Sequence, residues 1–187
     1  DSALRLQAHS YDVMILARTL SSTIARSEAS LGRFLPAYPA WSHVTIRQLL
    51  AHTSGIPSYT GNAAWRRRIG EPMAPDTLLS FVARDTFDFA PGTRWRYDNT
   101  GYFLLGMVLE KVTGTPYARL MQDRFFAPLG MRDTRFRPDA SLRGRIAPTE
   151  ITPPRGYPIR GEVHDENAYA LGGVAGHAGL FSTASDL

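Results

Sequence analysis

The sequence predicts one helix-dominated domain whose C-terminal third is irregular. Apolar residues recur at helical spacing over much of the chain up to about residue 130, whereas five prolines interrupt the chain beyond Met131 without helical period. A length of 187 residues with 43% hydrophobic and 20% charged residues suits one hydrophobic core and is too short for two comfortable domains. Short strands or ordered loops are therefore expected in the last third.

The N-terminal half contains three segments with helical signals. Between Tyr11 and about Arg26, apolar residues lie three, four, seven and eleven positions after Val13. Thr45 is expected to cap a short helix that ends at Gly55. Asp76 is expected to open a third helix, since a carboxylate accepts the free N–H groups of a first turn.

Two further helices are expected before the chain becomes irregular. One runs from about Thr100 to Thr113 and stops at Gly114, because a residue without a Cβ suits a left-handed cap. The next begins at Thr115-Pro116 and ends before Pro128. Near the end of the sequence, Thr183-Ala184-Ser185-Asp186 has the form of a capping box, which predicts a helix start there and a natural polypeptide that continues.

The basic residues are almost all arginine. Lys111 is the only lysine among 21 basic residues, and the formal net charge is +4. The dense cluster Arg66-Arg67-Arg68 beside Trp65 allows a phosphate-binding patch or a solvated face. Because the other arginines are dispersed among 17 acidic residues, we favour the solvated face and expect no nucleic-acid partner.

Composition also narrows the possible cofactors. The absence of cysteine excludes disulfides, a thiol nucleophile and a Cys-based zinc site, and leaves the cellular compartment open. No apolar run approaches the roughly 18 residues of a membrane span. His164-Asp165-Glu166 with His177 allows a metal site, but ordinary loop hydrogen bonding is the favoured interpretation. We therefore expect no metal and no cofactor.

Two segments stand out chemically, Val44 to Pro57 and Pro91 to Gly106. In the second, Tyr97 and Asn99 lie on the turn before a predicted helix N-terminus, where backbone N–H groups and the helix dipole favour negative charge. A phenol and an amide two residues apart can face one ligand. From the residues alone, the favoured interpretation is that both side chains cap the helix.

The two segments, together with Phe126 to Met131 and Gly172 to Leu187, resemble the serine β-lactamase-related proteins. This group includes class C β-lactamases, penicillin-binding-protein-like peptidases and related esterases. The resemblance implies an α+β fold of the β-lactamase/transpeptidase type, of which this chain is mainly the helical lobe with most of the antiparallel sheet missing. It assigns residues 29–187 to a partial β-lactamase-related domain and leaves residues 1–28 as a separate segment.

The resemblance also implies a serine acyl-transfer site. The family combines Ser-x-x-Lys for nucleophile and base, Tyr-x-Asn for proton transfer and substrate binding, and a late Lys/His-x-Gly. Tyr97-Asp98-Asn99 matches the second motif, which makes Tyr97 the proton-transfer phenol and Asn99 the substrate-contacting amide. The implied partner is a small-molecule or peptide substrate, with no cofactor.

The first motif is absent from the chain. Lys111 has Val108 three residues before it, and the best overlay of the N-terminal segment places Ile15 and Arg18 at the nucleophile and base positions. Isoleucine has no nucleophilic atom, and arginine is always protonated. Residues 1–28 are then either a degenerate nucleophile helix or foreign to the family. Ser54 and Ser58 are the hydroxyls to test as substitutes.

A phenol with a reference pKa of about 10 needs nearby cations before it can take up a proton near neutral pH. Arg94 and Arg96 are candidates for that role.

His177-Ala178-Gly179 has the form of the third motif, but we favour a loop leading into a helix.

The expected function is a β-lactamase-related serine hydrolase in truncated or degenerate form, inactive as an isolated chain. The alternative is a non-catalytic module that binds cell-wall peptide or protein. A lobe without its sheet should expose the Leu49/Leu50 and Leu105/Val108 faces, which predicts self-association.

Overall fold

The structure is a computed structural model that describes residues 28–187. The helix expected between Tyr11 and Arg26, the overlay residues Ile15 and Arg18, and most of the 1–28 segment lie outside the described residues. The α-helices are α1 (Ile46–Leu50), α2 (Ala63–Arg66), α3 (Pro75–Ser80), α4 (Asn99–Thr113), α5 (Tyr117–Met121) and α6 (Glu166–Ala170). The strands are β1 (Arg135–Phe136) and β2 (Leu180–Phe181).

Shorter helical turns connect these elements. Four are 3-10 turns, at Leu31–Arg33, Pro39–Trp41, Tyr59–Gly61 and Ala140–Arg145. Helix α5 continues into a π-helical turn at Gln122–Phe126, in agreement with the helix expected to end before Pro128. Helix α3 begins one residue earlier than expected, since Pro75 takes its first position and Asp76 lies within the first turn.

Helix α4 is the longest helix and carries the centre of the core. It spans 15 residues, begins after the N-cap Asp98, and ends where Gly114 adopts φ 65° and donates its N–H to the Glu110 carbonyl. The predicted left-handed stop is therefore confirmed. Buried side chains cover α4 from Thr100 to Leu109, so this part of the helix lies inside the molecule, whereas Glu110, Lys111 and Val112 in its last turn are exposed.

Helix α1 packs directly against α4. Its start is the predicted one, because Thr45 accepts a hydrogen bond from the Gln48 N–H while the Gln48 side chain accepts from the Thr45 N–H. Leu49 of α1 is fully buried, as are Leu105 and Val108 of α4. The expectation that these faces are exposed is therefore wrong, because the two helices cover each other.

The C-terminal third contains one small sheet. Strands β1 and β2 pair antiparallel, with Arg135 opposite Phe181 and Phe136 opposite Leu180. The helix expected from Thr183 is not formed among the described residues, and Thr183 to Asp186 is a turn. The Asp186 carboxylate, which would have capped that helix, instead accepts hydrogen bonds from the Asp133 N–H at 2.8 Å and the Thr134 hydroxyl at 2.7 Å.

The arginine cluster lies on the surface around α2. Arg66, Arg67 and Arg68 are exposed, and Arg68 pairs with Glu71 at 2.7 Å. Trp65 is buried and donates its indole N–H to Asn167, so its ring is not available for stacking on a ligand. The absence of a nucleic-acid partner stays a prediction. Within residues 28–187, no helix combines the length and apolarity that crossing a bilayer requires.

Candidate functional site

Tyr97 and Asn99 flank the N-cap of helix α4. Asp98 has an extended backbone, with φ −146° and ψ 121°, and its side chain is buried. Its neighbours therefore project away from the core: Tyr97 is 42% exposed, and Asn99 is half-buried as the first residue of α4. Within residues 28–187, neither the Tyr97 hydroxyl nor the Asn99 side-chain amide has a hydrogen-bond partner.

Capping of α4 belongs to Asp98 instead. Its two carboxylate oxygens accept from the Thr100 N–H at 2.8 Å and from the Gly101 N–H at 2.9 Å. Burial raises the pKa of the Asp98 carboxyl to about 6, although these hydrogen bonds act in the opposite direction. The alternative in which Tyr97 and Asn99 cap the helix is therefore ruled out, and both side chains are available to a ligand.

Thr100 fixes the start of α4 to the preceding chain. Its buried hydroxyl donates to the Pro57 carbonyl and accepts from the Tyr59 N–H, both at 3.1 Å. Two residues further along the helix, the Tyr102 hydroxyl donates to the Leu50 carbonyl at 3.1 Å. Both bonds bring the Val44 to Pro57 segment against the Tyr97 turn, so the two segments that stood out in the sequence form one site.

His52 is the part of this site that sequence reasoning missed. Its carbonyl accepts from the Arg96 N–H at 2.9 Å, and its Nδ1 lies 3.2 Å from the Asp98 N–H. Its ring centroid lies 4.8 Å from that of Tyr97 and 4.6 Å from that of Tyr102. His52 has φ 55°, a conformation in which histidine is one of the enriched non-glycine residues. A histidine near the C-terminal end of the short helix predicted from Thr45 to Gly55 was the available signal.

The cations expected to assist Tyr97 are not equivalent. The Arg96 guanidinium pairs with Asp88 and lies 5.6 Å from the centre of the Phe89 ring. Arg94 is exposed and has no charged partner within the described part of the chain. Within residues 28–187, no hydrogen bond or ring contact joins either guanidinium to Tyr97, so their assistance to the phenol stays a prediction.

The two substitute hydroxyls are engaged elsewhere. Ser54 is 2% exposed, and its oxygen accepts from the Ile56 N–H at 3.2 Å. Ser58 is half-buried and shares a hydrogen bond of 2.8 Å with Thr60. In residues 28–187, no hydrogen bond joins either serine to Tyr97, so the structure does not assemble a serine with a tyrosine base there.

His177 lies in the core. It is 2% exposed, and its Nε2 lies 3.4 Å from the Tyr59 hydroxyl and 3.5 Å from an Asp165 carboxylate oxygen. Burial favours a raised pKa for Asp165, but the hydrogen bond and charge of His177 lower it to about 2. Strand β2 follows His177, so the expected loop into a helix is wrong. A third-motif role for His177 stays a prediction.

The histidine and acidic residues considered for a metal serve other purposes. Asp165 caps α6 by accepting the Ala168 N–H at 2.8 Å, and His164 pairs with Glu150 at 2.9 Å. Across residues 28–187, histidine, aspartate and glutamate side chains form no group that could hold a metal ion. The positions of Asp165 and His164 are thus explained by hydrogen bonds, and the absence of a metal stays a prediction.

Comparison with known proteins gives several matches. The family model described as Beta-lactamase matches residues 16–187. A putative D-alanyl-D-alanine carboxypeptidase from Escherichia coli K12 is 29% identical, over 92% of this chain and 45% of its own length. An N-acetylmuramyl-L-alanine amidase from Bacillus subtilis is 33% identical, over 77% of this chain and 36% of its own. The chain thus spans less than half of these relatives.

Solved structures show the same fold. A D-amino acid amidase from Ochrobactrum anthropi SV3 aligns over 100% of this chain and 53% of its own, with TM-score 0.72 and 22% identity. A D-alanine carboxypeptidase from Burkholderia cenocepacia aligns over 100% of this chain and 48% of its own, with TM-score 0.70 and 22% identity. The predicted β-lactamase/transpeptidase-like fold is confirmed, with a mainly helical chain and a two-stranded sheet in the part described.

Proposed function

Because the chain belongs to the β-lactamase family, we propose that Tyr97 and Asn99 form the proton-transfer and substrate-binding part of a serine acyl-transfer site. The observation that carries the proposal is their shared availability. A phenol and a carboxamide with no hydrogen-bond partner within residues 28–187 flank a helix N-terminus whose cap is already supplied by Asp98. Groups left unpaired at such a position are suited to bind a polar substrate.

The reaction is acylation followed by hydrolysis. A serine hydroxyl attacks the carbonyl carbon of a β-lactam, peptide or ester, the C–N or C–O bond breaks, and the nitrogen or oxygen takes up the proton that the serine loses. With a peptide or ester the amine or alcohol departs, whereas the amine of an opened β-lactam ring stays attached to the acyl group. Water then attacks the acyl-enzyme and releases the acid. In this scheme the Tyr97 hydroxyl carries the proton and the Asn99 amide contacts the substrate. The names of the relatives favour a peptide that ends in D-alanine.

We propose that the 187-residue chain by itself does not complete this reaction. Lys111 is the only lysine and follows Val108 by three residues, so the sequence contains no Ser-x-x-Lys. Ser54 and Ser58 are hydrogen-bonded to other groups. The chain is in this proposal a truncated or degenerate form of the enzyme.

Ligand binding tests the site without requiring turnover. We expect a peptide ending in D-Ala-D-Ala to shift the NMR resonances of the Asn99 side-chain amide and the Tyr97 ring, and its L-Ala-L-Ala counterpart to shift them less. Asn99→Ala should weaken binding about tenfold, the cost of one lost hydrogen bond to a polar ligand. An unchanged spectrum at both residues with either peptide overturns the proposed site.

The alternative function is a non-catalytic binding module, which the absence of Ser-x-x-Lys favours. Intact-mass spectrometry distinguishes this module from an acyl-transfer enzyme. The unaltered chain should give no adduct with a penicillin or an activated ester. The double variant Ile15→Ser/Arg18→Lys restores the motif, and we expect a stoichiometric adduct that disappears when Tyr97→Phe is added. Peptide binding without any adduct in the double variant would instead identify a binding module.

We also propose that the isolated chain self-associates. Trp95 is 68% exposed and Leu129 is 66% exposed. Contiguous apolar area on a surface favours association in water, and these two side chains are our candidates for contributing to such an area. Sedimentation velocity should show a concentration-dependent increase in mass, and a monomer at every concentration would contradict this expectation.

A further inference from the structure

One residue, His52, holds the Tyr97 turn from three directions. Its carbonyl accepts from the N–H of Arg96, the residue before Tyr97. Its ring nitrogen Nδ1 accepts from the N–H of Asp98, the residue after Tyr97. Its ring also lies against the Tyr97 ring, with centroids 4.8 Å apart. The position of the phenol is thus set by His52 on both sides and across one face.

The backbone of His52 supports this interpretation. His52 and Arg137 are the non-glycine residues that adopt positive φ in the described part of the chain, and the φ of His52 is 55°. Such a conformation is unfavourable for a residue with a Cβ and persists only where the surroundings enforce it. Around His52 those surroundings are the Tyr102 ring, stacked at 4.6 Å, and the two hydrogen bonds to the Tyr97 turn.

The hydrogen bond from Asp98 also fixes the protonation state of the ring. A backbone N–H can donate to Nδ1 only if Nδ1 carries no proton, so the neutral ring holds its proton on Nε2. An imidazolium has an N–H at both nitrogens and cannot accept. Protonation of His52 therefore removes the bond on the C-terminal side of Tyr97.

We propose that His52 is the positioning residue of the Tyr97–Asn99 turn, and that only its neutral imidazole, protonated on Nε2, holds the turn in place. The link to catalysis rests on the proposed function of Tyr97. Burial lowers the pKa of His52, which keeps the holding form present near neutral pH. Acidification should release the turn.

The groups around His52 define what else titrates there. Its ring faces the aromatic rings of Trp95, Tyr97 and Tyr102, and the Arg96 side chain is turned to Asp88. The carboxyl of Asp98 is the other acidic group of this turn, with a pKa raised to about 6 by burial. Its protonation also weakens the cap of α4 on acidification, so the experiment must separate the two groups.

Nitrogen NMR of the unaltered chain gives the first test. We expect the His52 ring to be protonated on Nε2 near neutral pH, with Nδ1 in its hydrogen-bonded, unprotonated form. After correction for intrinsic rates, exchange of the Asp98 amide should accelerate about tenfold as His52 becomes protonated, the loss of one buried hydrogen bond. If exchange at residue 98 accelerates with the same midpoint pH in Asp98→Asn, the effect is assigned to His52 and not to the Asp98 carboxyl. A proton on Nδ1 in the neutral ring overturns the proposal.

Two variants at position 52 give the second test. Asparagine carries an acceptor oxygen at the same branch of the side chain and tolerates positive φ. His52→Asn should therefore keep residue 98 protected from exchange at every pH, whereas His52→Ala should lose that protection about tenfold even near neutral pH. Equal exchange of this amide in both variants contradicts the positioning role.

The reactivity of Tyr97 connects positioning to the site. We expect the rate of Tyr97 acetylation by N-acetylimidazole, read by mass spectrometry, to follow the protonation of His52 in the unaltered chain. In His52→Asn this dependence should be absent over the same pH range. If the acetylation rate depends on pH in the same way in the unaltered chain and in His52→Asn, the proposal is contradicted. None of these measurements requires substrate, so failure of peptide binding would refute the proposed function and leave this inference standing.

Discussion

Replacement of Thr100 by valine should destabilise the chain more than any other loss of a single hydroxyl on helix α4. Valine is close to threonine in size, so the change mainly removes hydrogen bonds. The hydroxyl accepts from the Tyr59 N–H and donates to the Pro57 carbonyl, both at 3.1 Å, and the residue is fully buried. Both backbone groups would then lie in the core without a partner.

The magnitude follows from these two groups. A buried donor or acceptor left unsatisfied costs about 1–3 kcal/mol. Two such groups predict a loss of about 2–5 kcal/mol in the free energy of unfolding, since local rearrangement relieves part of the cost. Typical domains have about 5–15 kcal/mol in total, so this variant should be close to unfolding.

Urea unfolding followed by circular dichroism measures the loss, with an unchanged slope as the condition for comparing midpoints. Thr113→Val is the matched control on the same helix. Its hydroxyl donates to the Leu109 carbonyl at 2.7 Å and accepts from the Thr115 N–H at 3.3 Å, near the half-buried helix end, where water can replace both hydrogen bonds. We expect the control to lose less than about 1 kcal/mol. Equal losses in the two variants would refute the reasoning.

Two further substitutions test the surroundings of the site. Gly55→Ala should cost more than about 2 kcal/mol, because the new Cβ would lie 2.1 Å from the Phe89 carbonyl oxygen at φ 70°, whereas Gly114→Ala, with φ 65° and open space, should cost about 1 kcal/mol in urea unfolding. Similar losses in the two variants would show that the positive φ alone sets the cost, and that the contact with the Phe89 carbonyl does not add to it.

Asp98→Asn should remove the part of the free energy of unfolding that depends on titration of this carboxyl, which is at most about 3 kcal/mol because burial raises its pKa from 3.8 to about 6. The amide keeps one acceptor oxygen, so one of the two hydrogen bonds from the Thr100 and Gly101 N–H groups is lost at every pH. The unaltered chain should gain this contribution as pH falls from about 6 to 4, because the folded form binds the extra proton, and the variant should not. A pH dependence that survives the substitution would assign it to another group.

The sequence by itself determined those features that depend on neighbours within a few residues. The capping box of Thr45 and Gln48 and the stop at Gly114 are contacts between a side chain or N–H and backbone three or four residues away. The placement of Tyr97 and Asn99 on either side of a helix start is equally local. Such contacts form in nearly any fold that contains the helix, so the residue types suffice to predict them.

Only the tertiary structure decided which segments meet. His52 bonds to a residue 46 positions later, and Tyr59 contacts His177 across 118 positions. The burial of Leu49 against α4 overturned the expected exposed faces for the same reason. Apolar periodicity shows that a helix face must be covered, but the covering partner depends on how distant parts of the chain pack together. The role of His52 at the Tyr97 turn therefore becomes visible only in three dimensions.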